Sequence, residues 1–344
     1  MRLGVATAIV DGRLVRGDVE LADGLVAGVG LSSPARRGTA VPGLVDLQVN
    51  GLEGVDLVDA DNGGYRRVGE LLLAGGVTAY LPTFITAPET RVVAALRRMP
   101  EGGDGPRVLG AHLEGPFLSP ERLGVHPPEH RRDPDPDLLG RLLGAGPVRL
   151  VTIAPELPGA HALVRELLAR GTTVSYGHSD ATAEEAHAAF DLGVRTVTHL
   201  FNAMRPFHHR DPGIAGAALA RGDVVVQLIL DGRHVAPETA LVSWRAARGR
   251  VALVSDATAV PGARTEAGVL AGGTASLIEA VRSLHELGAS LEEAVGAATW
   301  VPARILGHEH VGRLSLGLPA DVVVLSDELE VERVLIDGRD QLEL

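Results

Sequence analysis

The chain has no cysteine and no lysine. Without cysteine, disulfides and thiolate metal ligands are excluded, and a reducing compartment suits the composition. All 32 basic side chains are arginines, which excludes Schiff-base chemistry and any two-metal site bridged by a modified lysine. No apolar run approaches a membrane span. Met1-Arg2-Leu3-Gly4-Val5 is not a charged segment followed by a long apolar one, so no signal peptide is expected and the expected location is the cytoplasm. Excess positive charge is missing too. A net charge of -12 argues against a nucleic-acid surface but leaves room for a local basic pocket.

What is present is a large core. Hydrophobic residues make up 45% of 344 positions, enough for one α/β barrel with an appendage. The first thirty residues alternate short apolar runs with Asp11-Gly12 and Asp23-Gly24, a strong hairpin signal, and a linker at 32–38 follows. From Pro42 the pattern changes to βα units, with strands expected at 44–49, 77–82, 107–113, 148–153, 173–176, 196–200, 224–230 and 251–255. Eight strands close a (β/α)8 barrel. Helices are expected at 65–74, 136–143, 160–169 and 183–190, the last capped by Thr182 with Glu185 in a capping box, and later at 276–286 and 292–300. β character returns at 312–316, 321–325 and 331–336. The expected fold is therefore a (β/α)8 barrel over 42–309 and a small β-sandwich domain built from both termini, 1–41 and 310–344.

Polar residues at strand ends favour the barrel over an open sheet, because in a barrel those ends share one mouth. Glu114, His178 and His199 each end an apolar run, and one carboxylate with two imidazoles is a ligand set for a divalent ion. Zinc is expected, with iron, cobalt or manganese as alternatives. Asp256, at the end of the last strand, is placed to act as a general base. Gln48 and Asn50 carry amides where a second metal would need histidines. They point to one metal site, with the amides holding water or substrate. His112 shares a strand face with Glu114 and is expected to support the ligands. His126 lies in a Pro-rich mouth loop. Arg210, beside His208 and His209, reads either as an anion-binding cation or as solvated loop charge. Asp231-Gly232-Arg233-His234 reads either as a site element or as a turn.

Taken together, Pro42–Gly51, His112-Leu113-Glu114-Gly115-Pro116, Gly124-Val125-His126-Pro127, Gly177-His178-Ser179-Asp180, Thr198-His199-Leu200-Phe201-Asn202-Ala203-Met204, Arg210-Asp211-Pro212-Gly213, Asp231-Gly232-Arg233-His234 and Ser255-Asp256-Ala257 resemble the N-acetylglucosamine-6-phosphate deacetylases, a branch of the amidohydrolase superfamily. The resemblance runs from about Pro42 to the C-terminus. It implies that Glu114, His178 and His199 hold the metal, that Asp256 is the acid/base and that His126 polarises the acetyl carbonyl. It also implies that Asn202, the Ala203 backbone and His234 contact the sugar phosphate, with Val125, Asp231, Leu270, Ala271 and Gly272 completing the substrate site. Arg210 would reach that site from the neighbouring subunit of a homodimer. The implied reaction is hydrolysis of the acetamide of N-acetylglucosamine 6-phosphate. Another N-acyl substrate, or a non-catalytic sugar-phosphate sensor, is the alternative.

Two departures from the family pattern stand out. The 261–269 segment is shorter than the family's hairpin-bearing insert, which puts the lid in question. Asp180 stands where the family often has Asn, adding a charge near His178.

Overall fold

The computed structural model describes residues 1–32, 35, 37–102, 105–264, 268 and 270–342. Parts of the expected linker 32–38 and of the 261–269 segment lie outside the described residues. Eight parallel strands form the barrel wall: β1 Leu44–Val49, β2 Val77–Ile85, β3 Ala111–Glu114, β4 Val148–Ile153, β5 Thr173–Tyr176, β6 Thr196–Val197, β7 Val225–Leu228 and β8 Val251–Leu253. Each pairs in parallel with the next. A helix follows each strand: α1 Asn62–Ala74, α2 Glu89–Arg98, α3 Pro136–Leu143, α4 Ala160–Ala169, α5 Ala183–Phe190, α6 Gly213–Ala220, α7 Pro237–Ala246 and α8 Leu277–Glu286. Thr182 and Glu185 form the expected reciprocal cap on α5.

Strand alternation sorts the side chains. Leu113, Val151, Ile153, Val174, Tyr176, Val226, Leu228 and Leu253 join the apolar cluster shared with the helices. Between them, His112, Thr152, Ser175, Thr198 and Gln227 are buried and bond to one another across the interior. This polar interior explains why the strands do not read as unbroken apolar runs.

The wall closes differently between β8 and β1. Among the described residues, one parallel bridge, Val49 with Ala257, joins the two ends. The Asp46 carboxylate substitutes for part of the missing ladder: its Oδ1 accepts the Ser255 N–H at 3.2 Å and the Gln48 N–H at 3.2 Å.

Both chain ends contribute to one six-stranded sheet, in the order Arg13–Arg16, Thr7–Val10, Thr39–Pro42, Val322–Leu325, Val331–Ile336 and Arg339–Asp340. The hairpin of Asp18–Ala22 and Leu25–Leu31 covers it across a core that includes Val5, Ala8, Val19, Leu21, Val26, Val322 and Leu335. Asp11 and Gly12 have φ of 48° and 74°, as a two-residue hairpin turn of this hand requires.

Three expectations need correction. The expected strand 107–113 is two pieces, because Gly110 sits at φ 125° and a Cβ there would lie 2.4 Å from the Arg149 side chain. The expected helix 292–300 is two helices, α9 Leu291–Ala297 and α10 Trp300–Ile305, broken where Thr299 donates its hydroxyl back to the Val295 carbonyl at 2.8 Å. Residues 312–316 form no strand; Leu314 is buried, and its carbonyl accepts the Asp11 N–H at 3.2 Å. Among the described residues, no helix is long and apolar enough to cross a membrane.

Candidate active site

The strands bearing the site residues end early for a common reason. β6 stops at Val197 and β8 at Leu253, short of the expected 200 and 255, and the chain then turns through the left-handed region. His178, His199 and Asp256 have φ of 49°, 28° and 48°, conformations that cost a non-glycine residue about 1–2 kcal/mol each. Such strain persists where the surroundings over-determine it, and here it brings three polar side chains together. After Glu114, Gly115 sits at φ 88°, and a Cβ there would lie 2.4 Å from Thr86 Oγ1. Only glycine fits. The Gly115–Pro116 peptide bond is cis.

Glu114 Oε1 lies 3.1 Å from His178 Nε2 and 2.8 Å from His199 Nε2, and the two imidazole nitrogens are 3.1 Å apart. All three residues are buried. His178 Nδ1 lies 2.9 Å from the Arg122 carbonyl, which can only accept, so His178 carries its proton there and turns a lone pair to Glu114. A carboxylate oxygen and an imidazole lone pair therefore face each other, and one proton on His199 cannot satisfy all three contacts. A divalent cation can. Ligand atoms about 2.1 Å from a tetrahedral ion are about 3.4 Å apart, a few tenths of an ångström beyond the observed spacing. Glu114, His178 and His199 fit a metal.

The surroundings orient this group. Gln48 Nε2 donates to Glu114 Oε1 at 3.1 Å, and Asn50 Nδ2 donates to Asp256 Oδ1 at 2.9 Å. The Thr86 N–H, which can only donate, meets His126 Nδ1 at 3.3 Å. That puts the His126 proton on Nε2, which lies 3.7 Å from Glu114 Oε2. His112 is placed differently from expectation. Its ring nitrogens meet Thr83 and Thr152 at 3.3 and 2.7 Å, so it begins the interior hydroxyl chain rather than bonding a ligand.

Burial disfavours an ionised Glu114, yet the surrounding imidazoles of His126, His178 and His199 together hold its carboxyl well below the usual range. Burial, helped by the neighbouring His126, lowers His178 to about 4. At His199 burial works downward and is the largest single influence, but the Glu114 bond and charge together with the Asp256 charge outweigh it, and the net shift is upward. Asp256 is pushed up to about 8, first by burial and then by the Glu114 charge. A cation among the three ligands would offset that charge and favour the Asp256 carboxylate.

A cavity of about 640 Å³ opens over these groups. Asn50, Val125, His126, Asn202, Ala203, His234, Leu270, Ala271 and Gly272 line it, as do Glu114, His178, His199 and Asp256. Of the expected substrate residues, Asp231 and Arg210 do not line this cavity, Arg210 being one expected to reach the neighbouring subunit's site instead. Asp231 is not in the wall: its carboxylate accepts from His234 Nδ1 at 2.8 Å, from the N–H groups of Arg233 and His234, and from Thr274, so it holds the loop that carries His234. Arg210 is exposed and lies against His209, 2.8 Å from its Nε2, outside this cavity. Asp180 does not face the ligands. It pairs with Arg122 at 2.6 Å and Arg205 at 3.2 Å.

The short segment after Asp256 still forms a minimal hairpin, Ala263–Arg264 against Leu270–Ala271, and both strands reach the cavity wall. Sequence reasoning missed Thr86, Arg122, Arg233 and Arg264 as site residues. Arg233 was visible inside the Asp231–His234 motif, but nothing local marked its guanidinium as facing the cavity.

A Glu/His/His cluster and a half-buried carboxylate at the mouth of a (β/α)8 barrel define a metal-dependent hydrolase site. In agreement, residues 39–340 match the amidohydrolase family, and the chain belongs to that family. Within it, the chain is 39% identical to the human N-acetylglucosamine-6-phosphate deacetylase over 86% of this chain and 82% of that one. It is 35% identical to an N-acetylgalactosamine-6-phosphate deacetylase of Escherichia coli O157:H7, over 93% of each. It also superposes on a point mutant of the Mycobacterium smegmatis N-acetyl-D-glucosamine-6-phosphate deacetylase, solved with N-acetyl-D-glucosamine-6-phosphate. That match has a TM-score of 0.92 and 35% identity over 99% of both chains.

Proposed function

We propose that this chain hydrolyses the acetamide of N-acetylglucosamine 6-phosphate to glucosamine 6-phosphate and acetate. The observation that carries this reading is the convergence of Glu114, His178 and His199 beside a half-buried Asp256, in the wall of a cavity of about 640 Å³. The kinship with sugar-phosphate deacetylases supports the substrate.

The ligand set suits one divalent ion per subunit, zinc first and iron, cobalt or manganese as alternatives. Held by Glu114, His178 and His199, it would supply Lewis acidity toward the attacking water and the acetyl carbonyl. Asp256, steadied by Asn50, takes a proton from the water and later returns it to the departing amine. His126 Nε2–H donates to the oxygen that becomes negative at the tetrahedral stage, while Thr86 holds the other side of the ring. Gln48 fixes the Glu114 carboxylate. Asn202, the Ala203 backbone and His234 hold the sugar phosphate, and Arg210 approaches from the second subunit of a homodimer. In this reading residues 42–309 are the catalytic barrel, residues 1–41 and 310–344 form the smaller domain, and the enzyme works in the cytoplasm.

The test is acetate release from the 6-phosphate by metal-loaded protein, beside Asp256→Asn. Release by the wild type alone supports the reading; no release with metal bound refutes it. The galactosamine relative makes the galacto epimer a second reading, and running both epimers in one assay separates them.

A further inference from the structure

We propose that Arg233 is a specificity-determining residue, a cation that the chain supplies to the phosphate end of its own substrate site. The inference rests on the sugar-phosphate reading above and concerns how that phosphate is read.

Arg233 and His234 are adjacent in the loop after β7, and both line the cavity. The loop is rigidly held. Asp231 accepts the backbone N–H of Arg233 and of His234, each at 2.9 Å, and Thr274 ties the same carboxylate to the chain beyond the hairpin. The Arg233 guanidinium rests against that hairpin, since a Cβ on Gly262 would lie 3.1 Å from its Nη1. Arg264, on the hairpin itself, lines the same cavity.

Charge pairing distinguishes Arg233. Among the described residues its guanidinium has no hydrogen-bond or ion-pair partner, whereas Arg122 in the same wall is neutralised by Asp180 at 2.6 Å. Glu121 and Asp56 also border the cavity, but Asp56 leans toward Arg91 at 3.9 Å, and neither pairs with Arg233. In a chain of net charge -12, a guanidinium left without a carboxylate on a cavity wall is available to an anionic ligand. A phosphate monoester carries nearly two negative charges and matches the guanidinium fork. Arg210 lies outside the cavity of its own subunit, so Arg233 offers a positive charge that needs no second copy.

The experiment uses the metal-loaded full chain and its Arg233→Leu and Arg233→Lys variants. KM and kcat are measured on N-acetylglucosamine with and without the 6-phosphate, and calorimetry gives Kd for glucosamine 6-phosphate. With Leu, the preference for the phosphorylated sugar falls and the Kd of glucosamine 6-phosphate rises, each about tenfold, the loss appearing in KM. Lys restores part of both. Equal losses on both sugars, or an unmoved Kd, overturn the proposal. A wild type inactive on the 6-phosphate removes the functional reading itself; an active wild type with an unaffected Leu variant removes only this inference.

Discussion

Asn50 Nδ2 donates to Asp256 Oδ1 at 2.9 Å, joining residues 206 positions apart across the seam where the barrel closes. Asn50 follows β1 and Asp256 follows β8, so the closure of the fold and the posture of the proposed base are one arrangement.

That contact makes Asp256→Asn informative. The amide keeps the shape and can still meet Asn50 after a flip, but it cannot accept a proton from water. Acetate release should fall by about 10³-fold or more while glucosamine 6-phosphate still binds. Steady-state kinetics with calorimetry on the same samples checks it. Retention of most of the activity would remove Asp256 from the proposed role.

Asp46 lies across the same seam and is wholly buried. Burial pushes its carboxyl up to about 6 from the usual 3.8, against the opposing bonds from Ser255 and Gln48. Between those values the folded chain binds more protons than the unfolded one, so stability falls as pH rises through the window. The difference corresponds to roughly 3 kcal/mol for this group. The contribution is present below pH 4 and lost by about pH 6. Asp46→Asn should remove that slope, read as the difference between wild-type and variant denaturant curves from pH 4 to 7. Parallel curves would contradict the burial argument.

Metal removal should leave the barrel folded but less stable. Its closed sheet and apolar core do not depend on the three ligands, whereas a bound ion stabilises by mass action. At a thousandfold excess over Kd that is about 4 kcal/mol, or roughly 5 °C in Tm for a chain of this size. Chelation should lower Tm by this order, zinc should restore it, and His199→Ala should abolish the response. Unchanged melting of Glu114→Gln with and without zinc, beside a responsive wild type, would locate the ion at these ligands.

His126 and Thr86 should separate by degree. His126→Ala removes the Nε2–H donor, and kcat should fall about 10²-fold. Thr86→Val removes the hydroxyl but keeps the backbone N–H that meets Nδ1, so its loss should be much smaller. Equal losses would mean that the Thr86 hydroxyl, rather than its N–H, sets the ring.

Much of the site was legible because its chemistry sits at strand ends. Glu114, His178, His199 and Asp256 each follow a short apolar run, and a barrel gathers such ends at one mouth. The lengths of those runs were less legible. The expected strand to residue 200 stops at Val197, because the turn at His199 depends on what the imidazole meets rather than on its neighbours in sequence. The break at Thr299 and the loss of strand at 312–316 have the same character: a hydroxyl found a carbonyl, and Leu314 found a core.

The roles of Asp231 and Asp180 were hidden for a related reason. Both are carboxylates beside site residues, and local sequence cannot tell a group that faces a ligand from one spent on holding a loop. Asp231 is taken up by His234, Arg233 and Thr274, and Asp180 by Arg122 and Arg205.

By itself, the sequence determined what chemistry is open to this protein. Without cysteine or lysine, thiolate ligands and a modified-lysine bridge are excluded, which leaves imidazole and carboxylate as the leading groups to hold a metal, and the βα rhythm with polar strand ends leads to a barrel with its site at one mouth. Those properties are local in the chain, carried by residue type and period. Tertiary structure alone decided which charges stay free. The pairing of Asp46 with Ser255, Asn50 with Asp256 and Asp180 with Arg122, and the absence of a partner for the Arg233 guanidinium among the described residues, join or leave apart residues distant in sequence. Pairing between groups is a matter of distance in space, which residue order does not encode one position at a time.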